Sequence, residues 1–555
     1  MTDQQLSMPL CCGIDIQDLS INTLQNYLSD GKFTSVDLVS CYLERIHRLN
    51  GRLRAVIEVN PDAVDIASRL DSERRAGGLQ GPLHGIPFLV KDNIATHDKM
   101  QTTAGSSVLI GTVVTEDATV VSKLREAGAV LLGHANMSEW AAMRSSYYSE
   151  GYSSRGGQGR NPYNLAEHPG GTSSGSAIAV TTNMCAFSLG TETDGSVIFP
   201  ADRNGIVGIK PTVGRTSCRG VIPESRHFDV VGTLGKTTHD AAVVLGAILE
   251  PEDQDKTSPS IESFVCTKSA LQGARFGMPW KRVWGTVFEN AKKTNQSRVL
   301  KDVISKIRAA GSEVVEGADF PSAETIIPPD GWDWDYPSTL GHPEQSEFTV
   351  IRTDFYNDVR KYLSTLSANP SKIVGLEDIV SYNKEHADEE GGLPGRHGAW
   401  PTGQDNFERV LEFQGIEDGT YKHALSFIRK KSRQEGIDAA LQTGGSRLDG
   451  LLVPVQADSG VACQVAAKAG YPMITVPVGT DVDGVPFGIG IIQTAGQESL
   501  LVKYGSAIED LLQARTHPEF RNLDADNYMY VGVDPSDTSS TLPEGADTAA
   551  LRADL

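Results

Sequence analysis

Residues 169–200, PGGTSSGSAIAVTTNMCAFSLGTETDGSVIFP, place the strongest constraint on how this chain can fold. Two turns rich in Gly, Ser and Thr bracket an apolar run there. Glycine admits backbone conformations that a Cβ forbids, and it lets amide N–H groups come close to a bound group. Hydroxyl side chains set in such turns are candidate nucleophiles or proton carriers. Composition alone suits two ordinary loops around a buried segment equally well, so the surrounding sequence has to decide.

Much of that sequence alternates between helical and strand patterns. From Thr34, apolar Val36, Val39, Leu43 and Ile46 recur at helical spacing, and Thr34 with Asp37 resembles a capping box. A polar helical stretch runs from Ala63 to Arg75 and ends at Gly77–Gly78. Ile86–Val90 is a short apolar strand that leads straight into Lys91. Asp117 is placed to cap a helix over Thr119–Ala127, Gly128 stops it, and Ala129–Leu132 is the next strand. The same order returns at Val299–Ile307, Gly311 and Glu313–Val315. Leu451–Val453, Met473–Val476 and Gly488–Ile492 are further buried strands, and Ser499–Arg515 is an amphipathic helix. This alternation predicts an α/β protein. Between about 320 and 403 it fades, and Trp332, Trp334, Tyr336 and Trp400 stand among Pro and Gly. A pocket wall or lid and a plain surface excursion fit that stretch equally. After His517 the chain turns polar and acidic and reads as a surface tail.

The net charge of −21 excludes a protein built to grip a phosphate backbone, which needs clustered Lys and Arg. Seven cysteines show neither metal-ligand spacing nor a disulfide framework, and no stretch is long and apolar enough to span a membrane. A soluble cytoplasmic protein is the expectation. Phosphate-loop, HExxH and dinucleotide-binding patterns are absent.

Lys91 at the end of an apolar strand is unusual, because an isolated ammonium is costly to bury. Either it snorkels to solvent or it is held neutral and used as a base. Gly171-Thr-Ser173-Ser-Gly175 fits the letters of a nucleophile elbow, but NPYNLAEHP, not a buried strand, precedes it. Ser196 has better surroundings: Ala186–Leu189 is strand-like, and Gly190–Gly195 reads as a tight turn whose N–H groups can converge on one oxyanion.

GIPFLVKDN, PGGTSSGSAIAV and GTETDGSVIFP, in that order, resemble the amidase signature family of amide hydrolases. NMSEWAAMRSS and GYSSRGGQGRNPYNL upstream, with NGIVGIKPTVGR, GVIPES and AGYPMITVPVG downstream, look like its peptide amidase branch and fungal relatives. The resemblance covers about 16–515 and is weakest in the middle. It implies one amidase domain over 1–515 with a polar, acidic tail beyond. The implied fold is an α/β/α sandwich with a mixed, largely parallel sheet.

It also implies a catalytic set. Lys91 matches the family's base, and Ser196 matches its acylated serine. The hydroxyl between them falls on Thr172, 24 residues before Ser196, where the family carries serine. The extra methyl of Thr172 stiffens χ1, and Ser173 is the alternative proton carrier. The oxyanion hole falls on the backbone N–H groups of Thr193, Asp194, Gly195 and Ser196. Glu192, Asp194, Asp92 and Asn93 read as turn-stabilising residues, and Gln158 and Arg160 as holders of nearby loops. The implied activity is hydrolysis of a carboxylic amide, a non-peptide or C-terminal one, with no metal or organic cofactor. The partner is a small amide, with no nucleic acid or membrane insertion and with homodimerisation left open. Three other readings share these motifs: an amide-forming acyltransferase, a glutaminase-type amidotransferase subunit, and an impaired binding protein.

Overall fold

The structure, a computed structural model, describes residues 6–250, 259–290, 293–327, 342–455 and 460–525. Its strands are β1 (Val56–Val59), β2 (Pro87–Lys91), β3 (Val130–Ala135), a small hairpin of β4 (Tyr152–Ser153) and β5 (Gly157–Gln158), β6 (Phe187–Glu192), β7 (Val207–Lys210), β8 (Val230–Gly235), β9 (Arg275–Met278), β10 (Glu313–Glu316), β11 (Gly450–Pro454), β12 (Met473–Thr480) and β13 (Pro486–Ile492). All but the hairpin join one eleven-stranded sheet in the order β1-β3-β2-β6-β8-β7-β12-β13-β11-β9-β10. Helices flank it. The sheet is mixed, as the resemblance implies, and its parallel pairings fall in two three-strand blocks, β3-β2-β6 and β11-β9-β10. Antiparallel pairings join the blocks through the centre.

Local sequence accounts for most element ends. The helix Ser35–Leu53 begins with the expected capping box, in which Thr34 Oγ1 accepts from Asp37 N and the Asp37 carboxylate accepts from Thr34 N. The helix Ala63–Arg75 has the expected bounds. Asp117 does not cap the helix Thr119–Glu126. Its Oδ1 instead accepts from His97 N at 2.7 Å, and its Oδ2 faces Arg125 at 3.0 Å. The charge-assisted contact with Arg125, from the last turn of the same helix, holds Asp117 outside the cap position, which falls on Ala118.

The first parallel block sets the site. β2 and β6 are adjacent and run in the same direction, with Phe88 opposite Phe187 and Val90 opposite Leu189. The two phenyl rings stack with centroids 5.2 Å apart. Lys91 and Glu192 therefore end neighbouring strands at the same edge, the carboxyl edge where open α/β sheets bind ligands. The helix Ser174–Thr181 packs beside this block with all eight residues buried. Its small residues are needed for that approach: a Cβ on Gly175 would sit 2.4 Å from both Ala55 O and Asn136 N.

The middle region is helical where it is described, with Glu347–Leu363 and Leu376–Glu385 as its main elements. Trp332, Trp334 and Tyr336 lie outside the described residues. Trp400 is buried under the Arg144 guanidinium, 3.8 Å from its ring centroid, and against the edge of Tyr152. The start of the tail is tied down, since Phe520 N donates to Pro162 O and Arg521 N to Tyr163 O. Residues 526–555 lie outside the described residues.

Candidate active site

Lys91 does not snorkel. It is fully buried, and its Nζ donates to Thr172 Oγ1 at 2.6 Å and to Thr191 O at 3.1 Å. Burial disfavours the ammonium and brings the pKa down from 10.5 to about 7, against the opposing pull of Glu224, Asp229, Glu192 and Glu150. An amine of that kind is substantially neutral at neutral pH.

Thr172 is presented by a strained turn. Gly170 and Gly171 have φ of +78° and +44°, and a Cβ on Gly171 would meet Pro200 Cδ at 2.4 Å. Glycine is required there on both counts. Thr172 O accepts from Ser138 N at 3.2 Å, which steadies the turn against the segment after β3. Ser173 points elsewhere: its hydroxyl donates to Thr191 O at 3.1 Å and accepts from Thr191 N at 3.3 Å. Both bonds engage the backbone of β6, so Ser173 links helix to strand while Thr172 faces Lys91.

Ser196 sits on the second turn. The expected turn at Gly190 starts later, because β6 continues through Glu192 and pairs with β8 as far as Val230. Thr193–Gly195 then make the turn, with φ of +74° at Gly195. Glu192 Oε2 accepts from Val197 N at 2.8 Å and Ile198 N at 3.0 Å, fixing the chain just after Ser196. Ser173 N donates to Ser196 O at 3.2 Å. The two Gly/Ser turns are thus stitched to each other.

Two carboxylate clusters brace the second turn from outside the local sequence. Thr193 Oγ1 lies 2.8 Å from Glu224 Oε2 and 2.6 Å from Asp229 Oδ1. A hydroxyl has one proton to give, so one of these carboxyls must carry its own. Asp229 Oδ2 accepts two backbone N–H groups, from Glu224 at 2.8 Å and Ser225 at 3.0 Å, which favour its charged form. Glu224 is therefore the protonated partner. Burial and the nearby Asp229 push Glu224 well above the usual carboxylate range, while burial pushes Asp229 to about 6. The other cluster is Asp194 with Lys468 and Glu347, the lysine lying 2.9 and 2.7 Å from the two carboxylates.

These turns open on a cavity of about 490 Å³, lined by Thr172, Asp194, Gly195 and Ser196 among others. Ala141 and Ala142 form part of one wall, in a segment Trp140–Ala141–Ala142 whose three residues have φ of +52°, +54° and +72°. Non-glycine residues rarely adopt this conformation, and consecutive ones mark strain held by surrounding structure. Here Trp140 N donates to Ala104 O, and the indole packs edge-on to Phe355 and Phe407. The middle region supplies Ile351 to the cavity.

The expected turn residues hold structure. Asp92 Oδ1 pairs with His134 Nδ1 at 2.9 Å and its Oδ2 accepts from Gly105 N. Asn93 Nδ2 donates to Thr191 Oγ1. Gln158 Nε2 donates to Glu150 O and Gly159 O, and Arg160 reaches Leu165 O and Ala525 O. Lys468, Glu347, Asp229 and Glu150 stand outside every motif quoted above, and Glu224 lies in GVIPES without a role that the motif indicates. Among the described residues no group of His, Cys, Asp and Glu is arranged to hold a metal ion.

Three kinds of comparison show which known proteins the chain is similar to. The Amidase family profile matches residues 37–339. A Schizosaccharomyces pombe protein named as an amidase is 49% identical over 536 residues, which cover 94% of this chain and 90% of that protein. An Arabidopsis thaliana protein also named as an amidase is 37% identical over 515 residues, 91% of this chain and 92% of its own. The crystal structure of native peptide amidase from Stenotrophomonas maltophilia superposes with a TM-score of 0.78 at 36% identity, covering 91% of this chain and 99% of that one.

Proposed function

This chain belongs to the amidase family and hydrolyses amides, and from that premise we propose that it does so through an acyl-enzyme on Ser196, with Thr172 as proton relay and Lys91 as base. The observation that carries the reading is the 2.6 Å contact between Lys91 Nζ and Thr172 Oγ1 inside a fully buried environment. When Lys91 is neutral its lone pair can take the Thr172 proton, and Thr172 can in turn take the proton of Ser196. Ser196 attacks the amide carbonyl, and the N–H groups of Thr193, Asp194, Gly195 and Ser196 stabilise the oxyanion. The relay returns the proton to the leaving ammonia or amine, and water releases the acid.

A small cavity with Phe199 and Ile351 beside polar groups suits an acyl chain of modest size. The likeness to a peptide amidase supports a linear or C-terminal amide as substrate. No disulfide joins the seven cysteines, and no helix among the described residues is long and apolar enough to cross a membrane, in keeping with a cytoplasmic setting.

The test is covalent. An alkyl fluorophosphonate should add once to the protein at Ser196, seen by intact mass and peptide mapping, and Ser196→Ala should abolish both labelling and amide hydrolysis with the fold intact. Labelling at Ser173, or turnover retained in Ser196→Ala, overturns the assignment.

A further inference from the structure

Among the described residues, the charged ones that line the cavity are Glu150, Asp194 and Glu224, all acidic. Asp194 already has Lys468 as its counter-charge. Glu150 and Glu224 have hydroxyl neighbours instead. Glu150 accepts from Ser138 Oγ at 3.2 Å and Tyr148 OH at 3.3 Å, and Glu224 meets Thr193 Oγ1. Burial raises both carboxyls above their usual range. Asn406 adds an independent observation. It is 3% exposed, lines the same cavity, and its Oδ1 has no hydrogen-bond partner among the described residues. An acceptor in that state loses free energy unless a bound group donates to it. Arg203 and Lys91 act on Glu150, and Lys91 on Glu224, but neither cation lines the cavity. The cavity therefore has acceptors and acidic groups in surplus, on a chain whose net charge is −21.

We infer that this cavity selects amide substrates that carry a protonated amine on an aliphatic stem, with Glu224, Glu150 and Asn406 Oδ1 as the groups that receive the ammonium. The inference rests on the cavity being the site of amide hydrolysis and adds the chemical class of substrate. An ammonium has three donors and no acceptor, which matches what the cavity offers. A cation set against them favours the ionised form of both carboxyls, including Glu224, which is protonated while the cavity is empty, and the protein's overall field draws cations inward. A carboxylate substrate meets the opposite conditions. Ile351 and Phe199 provide apolar surface for the stem.

The experiment compares three near-isosteric amides: 6-aminohexanamide (cationic), heptanamide (neutral) and adipic acid monoamide (anionic). The expected order of kcat/KM is cationic, neutral, anionic, with about tenfold between the first two. Glu224→Gln and Glu150→Gln should each draw the cationic-to-neutral ratio toward one. In a second arm, hexylammonium chloride should raise the Tm of the Ser196→Ala protein, and sodium hexanoate should not. Equal or reversed kcat/KM, or a ratio that survives both substitutions together, overturns the inference. If none of the three amides is turned over, the Tm arm decides alone. Loss of all hydrolysis in Ser196→Ala alongside a flat substrate series would sink the selectivity and leave Ser196 as nucleophile. A steep series with Ser196→Ala still active would do the reverse.

Discussion

Lys468 Nζ lies 2.9 Å from Asp194 Oδ2, an ion pair that reaches from the helix Val461–Ala469 to the turn just before Ser196. The same ammonium lies 2.7 Å from Glu347, at the start of the helix Glu347–Leu363. Burial disfavours this charge, yet the two carboxylates outweigh it and hold Lys468 above the ordinary lysine value. Lys91, equally buried, has no carboxylate within bonding range among its hydrogen-bond partners and is lowered. Two buried lysines at one site thus have pKa values shifted in opposite directions because their immediate partners differ.

Removing one member of a buried, hydrogen-bonded charge cluster leaves the others uncompensated. Lys468→Met should destabilise the protein by about 3–5 kcal/mol, because Glu347 is left buried without its cation. Urea unfolding measures the loss, and kcat should fall with it as the Asp194 turn loosens. Lys468→Arg should restore part of both. Wild-type stability and kcat in Lys468→Met would refute the bracing role.

The pH dependence follows from the sign of the Lys91 shift. A base must be neutral to accept a proton, and this lysine loses its proton near pH 7 rather than 10.5. With an uncharged amide, kcat/KM should rise about tenfold per pH unit below about 6.5 and level off above about 8. A flat profile across that range would remove Lys91 as the base.

Thr172 offers a conservative pair of substitutions. Thr172→Ser keeps the hydroxyl 2.6 Å from Lys91 and should retain kcat within a few-fold. Thr172→Val keeps the shape and removes the hydroxyl, and kcat should drop by about 10²–10⁴. Similar rates for the two variants would show that no proton passes through this residue.

Gly171→Ala tests the strained turn. Its φ of +44° and the 2.4 Å approach of a Cβ to Pro200 Cδ leave no room to relax. The substitution should cost at least about 1–3 kcal/mol, read as a lowered Tm, and should displace Thr172. Gly77→Ala is the matched control: φ is +81°, but nothing lies within 4 Å of its Cβ. Equal effects at the two positions would mean that backbone conformation alone, not the contact with Pro200, sets the cost.

Most elements and the ends of several were legible in the sequence, because caps, apolar periods and glycine stops record local backbone preference. Thr34 with Asp37 announced a helix start, and the apolar run before Lys91 announced a buried strand. Asp117 misled, since its strongest partners, His97 N and Arg125, come from outside the local cap pattern. The left-handed run at Trp140–Ala142 left no mark at all, as it contains no glycine and is held by Phe355 and Phe407 from elsewhere in the chain.

Residue identity and spacing by themselves determined which turns carry hydroxyls, that Lys91 closes a strand, and that 24 residues separate Thr172 from Ser196. Only the tertiary structure decided what those residues can do. Parallel pairing of β2 with β6 brought Lys91 beside the turns, and full burial lowered its pKa. Backbone bonding turned Ser173 toward Thr191 and left Thr172 facing the lysine. The acids and Lys468 around Ser196 arrived from distant elements. Desolvation and charge pairing depend on what surrounds a group in space, and spacing along the chain does not encode that.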